Sequence, residues 1–315
     1  MRYTELGRTG MKISNICFGA SSLGSVFHET NEKDSLKAVE TALEGGINFI
    51  DVSPYYGHYK AETVLGHALK VLPRDKYYLS TKVGRYGKDG VNTWDYSGKR
   101  AKESVYESME RLNIDHIDLI NVHDIEFQAA LPGGLQKVVD ETLPALVELR
   151  REGVVSHVGI TDLQLSNLKW VIDHAPEGTV ESVLNFCHYC LNDDELVDYL
   201  DYFEGKGIGV INASPLSMGL LSMRGVPDWH PAPKPLVEAC HKAALYCQEK
   251  NYPIEKLAIQ YSVSNPRIAG TLFSSANPVN VARNIAWASE EPDMELVKAV
   301  QDIIGDQKRV TWANS

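Results

Sequence analysis

The sequence predicts an α/β fold, a closed (β/α)8 barrel of the TIM-barrel class with an N-terminal β-hairpin in front of it. Two observations support this prediction. Short apolar runs recur along the chain, and segments whose apolar residues are spaced as in amphipathic helices separate them. Strands that alternate with helices in this way indicate one parallel sheet with helices outside it. An open, doubly wound sheet is the alternative arrangement.

The first element is the hairpin, which we predict from the alternating character of residues Tyr3 to Ser14 around Gly7-Arg8-Thr9-Gly10. Eight apolar runs follow, and each is bounded by glycine, proline or polar residues. A strand of a parallel sheet is buried on both faces, so it is apolar along its length. The predicted strands are Ile16–Phe18, Ile47–Ile50, Tyr77–Leu79, Ile117–Val122, Val155–Ile160, Val180–Leu184, Ile208–Ile211 and Ile268–Phe273.

Between these strands, apolar residues recur at intervals of three and four, which predicts helices. Glycines at Gly45-Gly46 and Gly205 are expected to end two of them, because glycine accepts the left-handed turn that terminates a helix. The predicted helices are Ser35–Leu43, Ala61–Leu69, Lys102–Leu112, Leu143–Arg150, Leu165–Ile172, Glu195–Phe203 and Val279–Trp287.

The glycine pattern argues against the open-sheet alternative. A dinucleotide fingerprint has its glycines after a strand and at the start of a helix. The nearest match, Gly205-Lys-Gly207-Ile-Gly209, follows a predicted helix and enters a predicted strand. No domain boundary is evident, so we expect one domain over residues 1–315. The proline-rich and glycine-rich stretch from Ser214 to Pro235 is expected to be a long loop after the seventh strand.

Charge and hydropathy limit the class of partner. The chain has 31 basic and 42 acidic side chains, a net charge of −11, which argues against nucleic acid or an anionic membrane as the main partner. No window approaches the roughly 18 apolar residues of a membrane span. The first residues also lack the apolar segment of a signal peptide, so we expect a cytoplasmic protein. The sequence leaves the oligomeric state open.

The five cysteines are expected to be free thiols, since their number is odd and the chain has an intracellular character. Cys187-Phe-His-Cys190 has the spacing of half a metal or redox motif, but no second pair lies at a matching interval. We therefore predict no metal site.

Polar side chains follow three successive predicted strands. The second strand leads to Asp51 and Tyr56, the third leads to Ser80-Thr81-Lys82, and the fourth leads to His123. In a barrel these groups meet at the carboxyl end of the sheet, where ligands bind. Lysine near the tyrosine oxygen favours the phenolate and lowers the phenol pKa, a carboxylate keeps the lysine charged, and histidine can hydrogen-bond the reacting oxygen. Such a site suits alcohol–carbonyl interconversion, with the hydride carried by a cofactor.

These motifs resemble those of the aldo-keto reductases over nearly the whole chain. The matching stretches are Leu6-Gly-Arg-Thr-Gly10, Gly46-Ile-Asn-Phe-Ile-Asp51, Tyr56-Gly57 with Glu62, Ser80-Thr-Lys82, Asn121-Val-His123, Gly159-Ile-Thr161, Ser214-Pro-Leu216 and Asn277-Pro278 with Asn284. The resemblance implies Tyr56 as proton donor or acceptor, Lys82 and Asp51 as the pair that tunes it, and His123 as the group that orients the substrate oxygen.

The resemblance also implies a nicotinamide cofactor, and two departures from the family pattern concern its carboxamide. A common Ser-Asn pair is Thr161-Asp162 here, and a carboxylate accepts hydrogen bonds only, so Asn185 is expected to supply the missing donor. A stacking aromatic corresponds to Ala213. The implied cofactor residues are Gly19, Ala20, Ser21, Asp51, Thr161, Asp162, Asn185, Ser214, Pro215, Leu216, Ser274, Ser275, Asn280, Arg283 and Asn284.

Two of these positions favour NAD over NADP. Relatives that use NADP place Lys or Arg where this chain has Ser274 and Asn280, and a phosphate without a cationic partner is poorly held. Arg283 lies next to Asn284 and is the residue that could reach a phosphate instead. The predicted cofactor is therefore NAD.

The resemblance also implies a sugar substrate, whose C1 hydroxyl is oxidised so that the product is a lactone. Besides Tyr56 and His123, we expect Asp124 and Trp94 to contact it. Aromatic side chains in loops suit sugar faces, although loop packing explains them equally well. The loops concerned are Ser21–His28, Arg85–Tyr96 with Tyr86, Asp124–Gly134 and Ser217–Trp229. A general aldehyde or ketone reductase, and a regulatory module like the β subunits of voltage-gated potassium channels, are the alternatives.

Overall fold

The computed structural model of the chain describes residues 1–88, 90–227 and 229–312. Eight parallel strands form a closed barrel, and two antiparallel hairpins lie outside it. In chain order the strands are β1 (Tyr3–Glu5), β2 (Lys12–Ser14), β3 (Ile16–Gly19), β4 (Phe49–Asp51), β5 (Tyr78–Val83), β6 (Arg85–Lys88), β7 (Val91–Trp94), β8 (Ile117–Val122), β9 (Val155–Asp162), β10 (Ser182–Phe186), β11 (Gly209–Ala213) and β12 (Gly270–Ser274).

The barrel closes in the order β3-β4-β5-β8-β9-β10-β11-β12, with β12 pairing back to β3. Each of the eight predicted runs overlaps one of these strands, which confirms the fold class. The parallel register aligns Asp51 with Ser80 and Lys82 with Asn121, so the carboxyl ends of β4, β5 and β8 lie side by side. This alignment brings the polar groups that follow them to one end of the barrel.

The amino end of the barrel is closed by the β1–β2 hairpin. Leu6, Met11 and Ile13 are buried against apolar side chains from the barrel interior, including Phe49 and Leu119. The turn approaches β11 so closely that a Cβ atom on Gly7 would lie 2.3 Å from the backbone nitrogen of Gly209, and only glycine is accommodated there. The predicted hairpin is therefore present, and it seals this end.

Helices surround the barrel between its strands. They are α1 (Glu32–Glu44), α2 (Lys60–Leu69), α3 (Gly98–Leu112), α4 (Glu126–Ala129), α5 (Gly134–Lys137), α6 (Leu143–Arg151), α7 (Leu165–His174), α8 (Val197–Gly205), α9 (Lys234–Glu249), α10 (Ile254–Ser264), α11 (Pro278–Ala288) and α12 (Met294–Ile304). A π-helical turn, Val138–Thr142, joins α5 to α6. None of the described helices has both the length and the apolar character needed to cross a membrane.

Several boundaries differ from the predictions for local reasons. Gly205 is still helical, and the left-handed glycine beyond α8 is Gly207 (φ 70°). After α1 that role belongs to Gly46 (φ 93°), whereas Gly45 is right-handed. Helix α3 starts four residues earlier than predicted, because the side chain of Ser97 accepts a hydrogen bond from the backbone of Arg100 and caps the helix.

A β-hairpin occupies one of the predicted loops. The stretch Arg85–Tyr96 contains the β6–β7 hairpin, in which Arg85 pairs with Trp94. Its strands have few apolar residues and lie outside the barrel, so they lack the continuous apolar run that marked the other strands. The residues from Ser214 to Pro233 contain one described short helical turn, Ser217–Gly219, before α9 begins.

Candidate active site

The four predicted catalytic side chains meet at the carboxyl end of the barrel. Asp51 ends β4, Lys82 lies in β5, and His123 directly follows β8. The Lys82 ammonium forms an ion pair with Asp51, and its Nζ lies 3.3 Å from the Tyr56 oxygen. The rings of Tyr56 and His123 meet edge to face with their centroids 5.6 Å apart. A phenol, an ammonium group and an imidazole therefore face a common point.

Lys82 is fixed by acceptors on three sides. Its ammonium group also donates to the backbone oxygen of Val52 at 2.9 Å, and only 1% of the residue is exposed. Its partner Asp51 accepts a second hydrogen bond at 2.8 Å from Ser80, the residue opposite it in the sheet. An ammonium with three oxygen partners keeps its charge when buried, because each partner replaces a water molecule.

The buried carboxylate of Glu62 holds α2 against β5. It accepts from the Thr81 hydroxyl at 2.7 Å and pairs with Arg111 of α3 at 2.7 Å. Because Thr81 precedes Lys82, this link also fixes the part of β5 that carries the lysine. Tyr56 is positioned by its own loop, where a Cβ atom on Gly57 would lie 2.0 Å from the oxygen of Gly24. The loops after β3 and β4 therefore touch through backbone alone.

The phenol pKa results from opposing effects. Desolvation raises the pKa of Tyr56 and Lys82 lowers it, and the net pKa is above 10.0. The direction differs from the sequence-based expectation, because burial outweighs the ammonium. Burial lowers the pKa of Lys82, but Asp51 and Tyr56 together raise it by more than burial lowers it. The net pKa of Lys82 is therefore above 10.5. The amine is charged at neutral pH and supports proton removal from the phenol.

The environment of His123 favours a neutral ring with hydrogen on Nε2. The Ser53 hydroxyl lies 2.9 Å from Nδ1 and already accepts from the backbone N–H of Tyr55 at 3.1 Å. Ser53 keeps its own proton to donate to Nδ1, and the Asp124 carboxylate, 3.5 Å from Nε2, favours the ring proton on that nitrogen. Burial, together with Lys82 and Arg85, lowers the pKa of His123 well below 6.5, although Asp124 opposes this.

Four side chains stack in layers beside His123 and form a wall: Tyr55, Arg85, Phe127 and Trp94. Of these four, the sequence analysis predicted a site role for Trp94 alone. The guanidinium of Arg85 forms an ion pair with Asp124 and lies between two ring faces, with its central carbon 3.9 Å from the Tyr55 centroid and 4.1 Å from that of Phe127. Trp94 stacks on the outer side of Phe127 at 5.5 Å. The only sequence signal for Arg85 was its position just after the third barrel strand.

The two predicted substrate contacts differ in accessibility. Trp94 is 38% exposed on the outermost layer of this wall. Asp124 is buried, and both of its carboxylate oxygens have protein partners, since Arg85 contacts Oδ2 and the Thr161 hydroxyl donates to Oδ1 at 2.9 Å. Thr161, predicted to bind the carboxamide, is thus engaged with Asp124 in this structure.

Asp162 and Asn185 both differ from their predicted roles. Asp162 accepts from the backbone of Gln164 at 2.8 Å and from Asn167 at 3.0 Å, and burial together with Glu126 raises its pKa. Asn185 donates both N–H groups of its amide, to the backbone oxygens of residues 162 and 163 at 2.8 and 2.9 Å. Its buried Oδ1 has no partner among the described residues. Asn185 therefore presents an acceptor rather than the expected donor, and Asp162 is held by the start of α7.

The remaining predicted cofactor residues lie around the same end of the barrel. Ser274 ends β12 and shares hydrogen bonds of 2.8 Å with the backbone and hydroxyl of Ser22, which ties the loop after β3 to β12. On α11, Arg283 is exposed and its guanidinium carbon lies 4.7 Å from the Trp287 ring centroid. The others follow the ends of three strands or lie on α11: Gly19, Ala20 and Ser21 after β3, Ser214, Pro215 and Leu216 after β11, and Ser275, Asn280 and Asn284 near β12.

All five cysteines are free and buried, as predicted. Among the described residues, one trio of potential metal ligands has its ligand atoms within 4.8 Å of one another, namely His188, Asp193 and Glu195. Neither Cys187 nor Cys190 belongs to it. In this trio the imidazole Nδ1 lies 3.1 Å from Asp193, a distance that a histidine–carboxylate contact explains.

Comparison with known proteins identifies the family, because residues 15–304 match the Aldo/keto reductase family model. The chain belongs to the aldo/keto reductases. It is 44% identical to L-galactose dehydrogenase of Arabidopsis thaliana over 98% of this chain and 95% of that protein. It is 33% identical to D-arabinose 1-dehydrogenase of Saccharomyces cerevisiae over 80% of this chain and 76% of that protein.

Solved structures of aldo/keto reductases share the fold. One from Bacillus halodurans, described as a holo form, has a TM-score of 0.79 at 25% identity and covers 100% of this chain and 99% of its own. One from Klebsiella pneumoniae, described as a complex with NADPH, has a TM-score of 0.75 at 18% identity. It covers 100% of this chain and 99% of its own. The second is similar in fold alone.

Proposed function

We propose that this aldo/keto reductase is an NAD-dependent sugar dehydrogenase that oxidises L-galactose at C1 to L-galactono-1,4-lactone. The observation that carries the proposal is the Tyr56 oxygen, 3.3 Å from a charged, buried Lys82 and beside a neutral His123. The choice of sugar rests on the 44% identity to a plant L-galactose dehydrogenase over nearly the whole chain. We further propose that it is a cytoplasmic plant enzyme on the route to ascorbate.

Four side chains take part in the transfer of one proton from the sugar. The C1 hydroxyl accepts a hydrogen bond from Nε2–H of His123, which fixes the position of its oxygen. The phenolate form of Tyr56 removes the hydroxyl proton, and the ammonium of Lys82 stabilises that phenolate. Asp51 keeps the ammonium charged and in place. Proton removal leaves the electron pair on the sugar oxygen, from which the carbonyl of the lactone forms.

The residues at the ends of β3, β10 and β12 suit a nicotinamide cofactor, which supplies the hydride acceptor when bound. The buried Oδ1 of Asn185, without a partner among the described residues, is an acceptor suited to a carboxamide N–H group. Ser214 and the residues of α11 would hold the remainder.

The preference for NAD rests on the chemistry of the residues near α11. Ser274 and Asn280 carry no charge, so neither compensates a 2′-phosphate, whereas both suit a ribose hydroxyl. Arg283 is the nearest cation on the same helix, and its guanidinium lies against Trp287. Arg283→Ala should therefore leave the use of NAD nearly unchanged. If Arg283 does receive a phosphate, this variant loses activity with NADP alone.

A panel of aldoses with NAD and with NADP, followed at the nicotinamide absorbance, tests the proposal. We expect oxidation of L-galactose with NAD and much weaker activity with NADP. The relative that is a D-arabinose 1-dehydrogenase makes D-arabinose the most informative comparison sugar. Comparable rates on both sugars would broaden the function to a general aldose 1-dehydrogenase. Inertness toward every sugar, with reduction of simple aldehydes, would support a general reductase instead.

A further inference from the structure

The Asp124 carboxylate lies close to the Nε2 proton of His123, which the proposed mechanism requires. Oδ2 of Asp124 lies 3.5 Å from Nε2 of His123, slightly beyond a good hydrogen bond, and both side chains are buried. A small rotation would let the carboxylate take the Nε2–H group and draw a second proton onto the ring. The imidazole could not then offer that hydrogen to a sugar oxygen.

Two contacts hold the Asp124 carboxylate away from the imidazole. Arg85 binds Oδ2, the oxygen nearest to His123, and the Thr161 hydroxyl donates to Oδ1 at 2.9 Å. The backbone is fixed as well, because the N–H of Asp124 donates to the same hydroxyl at 2.8 Å. Of these contacts only the one from Arg85 brings an opposing charge.

Arg85 is itself held in one plane. The rings of Tyr55 and Phe127 cover its two faces, at 3.9 and 4.1 Å from the guanidinium carbon, and the residue is buried. Its Nε has no hydrogen-bond partner among the described residues, so the rings and one carboxylate fix the group. A planar cation suits such a slot, which a flexible ammonium fills less well.

Titratable or charged groups face His123 from several neighbouring elements. Lys82 and Arg85 oppose a positive charge on the ring, and Asp124 favours one; burial is the largest effect and lowers the imidazole pKa. Removing the guanidinium would leave Asp124 without its compensating charge. The facing groups are Tyr55 and Tyr56 from the loop after β4, Lys82 from β5, Arg85 from β6 and Asp124 after β8.

We propose that Arg85 is a positioning residue for the reaction: it holds the Asp124 carboxylate off His123, so that an uncharged imidazole keeps its Nε2–H for the substrate oxygen. This inference rests on the role proposed above for His123.

The test is an NMR titration of ¹⁵N-histidine-labelled protein without cofactor or sugar, with the His123 signals assigned by their loss in His123→Gln. In the natural protein the ring should stay neutral between pH 6 and pH 8. In Arg85→Met its midpoint should rise by about one to three pH units, the effect of a nearby uncompensated carboxylate. Arg85→Lys should restore much of the neutrality, and Arg85→Met combined with Asp124→Asn should restore it fully.

The proposal also predicts that Arg85→Met loses catalytic efficiency, kcat/KM, to an extent that depends on pH. Arg85→Met should lose about tenfold to a hundredfold in kcat/KM at pH 6, with a smaller loss at pH 9, where the imidazole is neutral again. A His123 signal that does not move in Arg85→Met would overturn the proposal, and so would a double variant that titrates like Arg85→Met. If Arg85→Met does not fold, Arg85→Gln, which also removes the charge and keeps Asp124, must show the same raised midpoint. Because the titration uses no substrate, it can fail or succeed independently of the proposed sugar chemistry.

Discussion

The two buried ion pairs at the barrel mouth hold their cations in different ways. The ammonium of Lys82 contacts three oxygens, those of Asp51, Val52 and Tyr56. The guanidinium of Arg85 contacts one carboxylate and two aromatic faces. A compact ammonium among oxygens exerts its charge on the phenol beside it, whereas a planar guanidinium between rings forms a rigid wall. The first pair thus acts on Tyr56, and the second acts on His123 through Asp124.

The largest effect should come from removing the Tyr56 hydroxyl, the group on which the Lys82–Asp51 pair acts. Tyr56→Phe deletes the oxygen that accepts the proton, so kcat/KM should fall about a thousandfold or more, whereas cofactor affinity stays nearly unchanged. Steady-state kinetics and a fluorescence titration with NADH measure the two quantities. Tyr55→Phe is the matched control, since it keeps the ring that covers Arg85, and its loss should stay below about tenfold. Retained turnover in Tyr56→Phe would reject the assignment.

Breaking the Lys82–Asp51 pair should also lower the stability of the protein. Lys82→Met leaves the Asp51 carboxylate buried without its cation, which should lower the free energy of unfolding by about 3–5 kcal/mol. Lys82→Met combined with Asp51→Asn should recover most of that loss but none of the activity. Urea unfolding at pH 7 measures the difference. The folded-state pKa of Lys82 is raised, so the stability from this pair persists below pH 10.5 and is lost as pH rises through the folded-state value.

The pH dependence of the rate reports the ionisation of Tyr56. Because the phenol pKa is above 10.0, the fraction of phenolate rises about tenfold per pH unit below that value. We therefore expect kcat/KM for sugar oxidation to keep rising from pH 7 to pH 9. A plateau below pH 8 would mean that Lys82, or the bound cofactor, outweighs burial. That result would favour the lower phenol pKa that the sequence alone suggested.

A pair of glycine substitutions tests how the Tyr56 loop is held. Gly57 and Gly10 both have left-handed φ angles, 62° and 75°, but only Gly57 has backbone within 4 Å of a new Cβ atom. Gly10→Ala should cost about 1–2 kcal/mol through strain. Gly57→Ala should cost more than Gly10→Ala and also lower kcat, since the loop must move away from Gly24. Equal losses in stability with unchanged kcat would show that the contact does not position Tyr56.

The smallest effects should come from the outer layers of the wall. Phe127→Leu removes one face from Arg85, and loss of a cation–π contact of about 0.5–2 kcal/mol should raise KM for the sugar between twofold and thirtyfold. Trp94→Leu leaves both faces of the guanidinium covered, so we expect a change of about twofold. A larger effect for Trp94 than for Phe127 would mean that Trp94 contacts the sugar directly, as the sequence suggested.

The sequence predicted the barrel and the catalytic group for related physical reasons. Buried parallel strands are apolar throughout, so the switch to Asp51 or His123 marks both a strand end and the functional face. The acceptor role of Asn185 was not predictable, because its amide N–H groups donate to backbone oxygens of residues 162 and 163, which only the folded chain brings near. Arg85 was missed because its contacts come from two segments that are distant in sequence, the loop after β4 and the loop after β8.

Asp124 has a left-handed backbone conformation, with φ at 41°. Few residue types tolerate that geometry without strain; glycine does so freely, and asparagine and aspartate do so best among the others. Of these three, only aspartate brings a negative charge. Mutational routes to new substrate preferences are therefore narrow at this site, and directed evolution has more freedom in the β6–β7 hairpin that faces it.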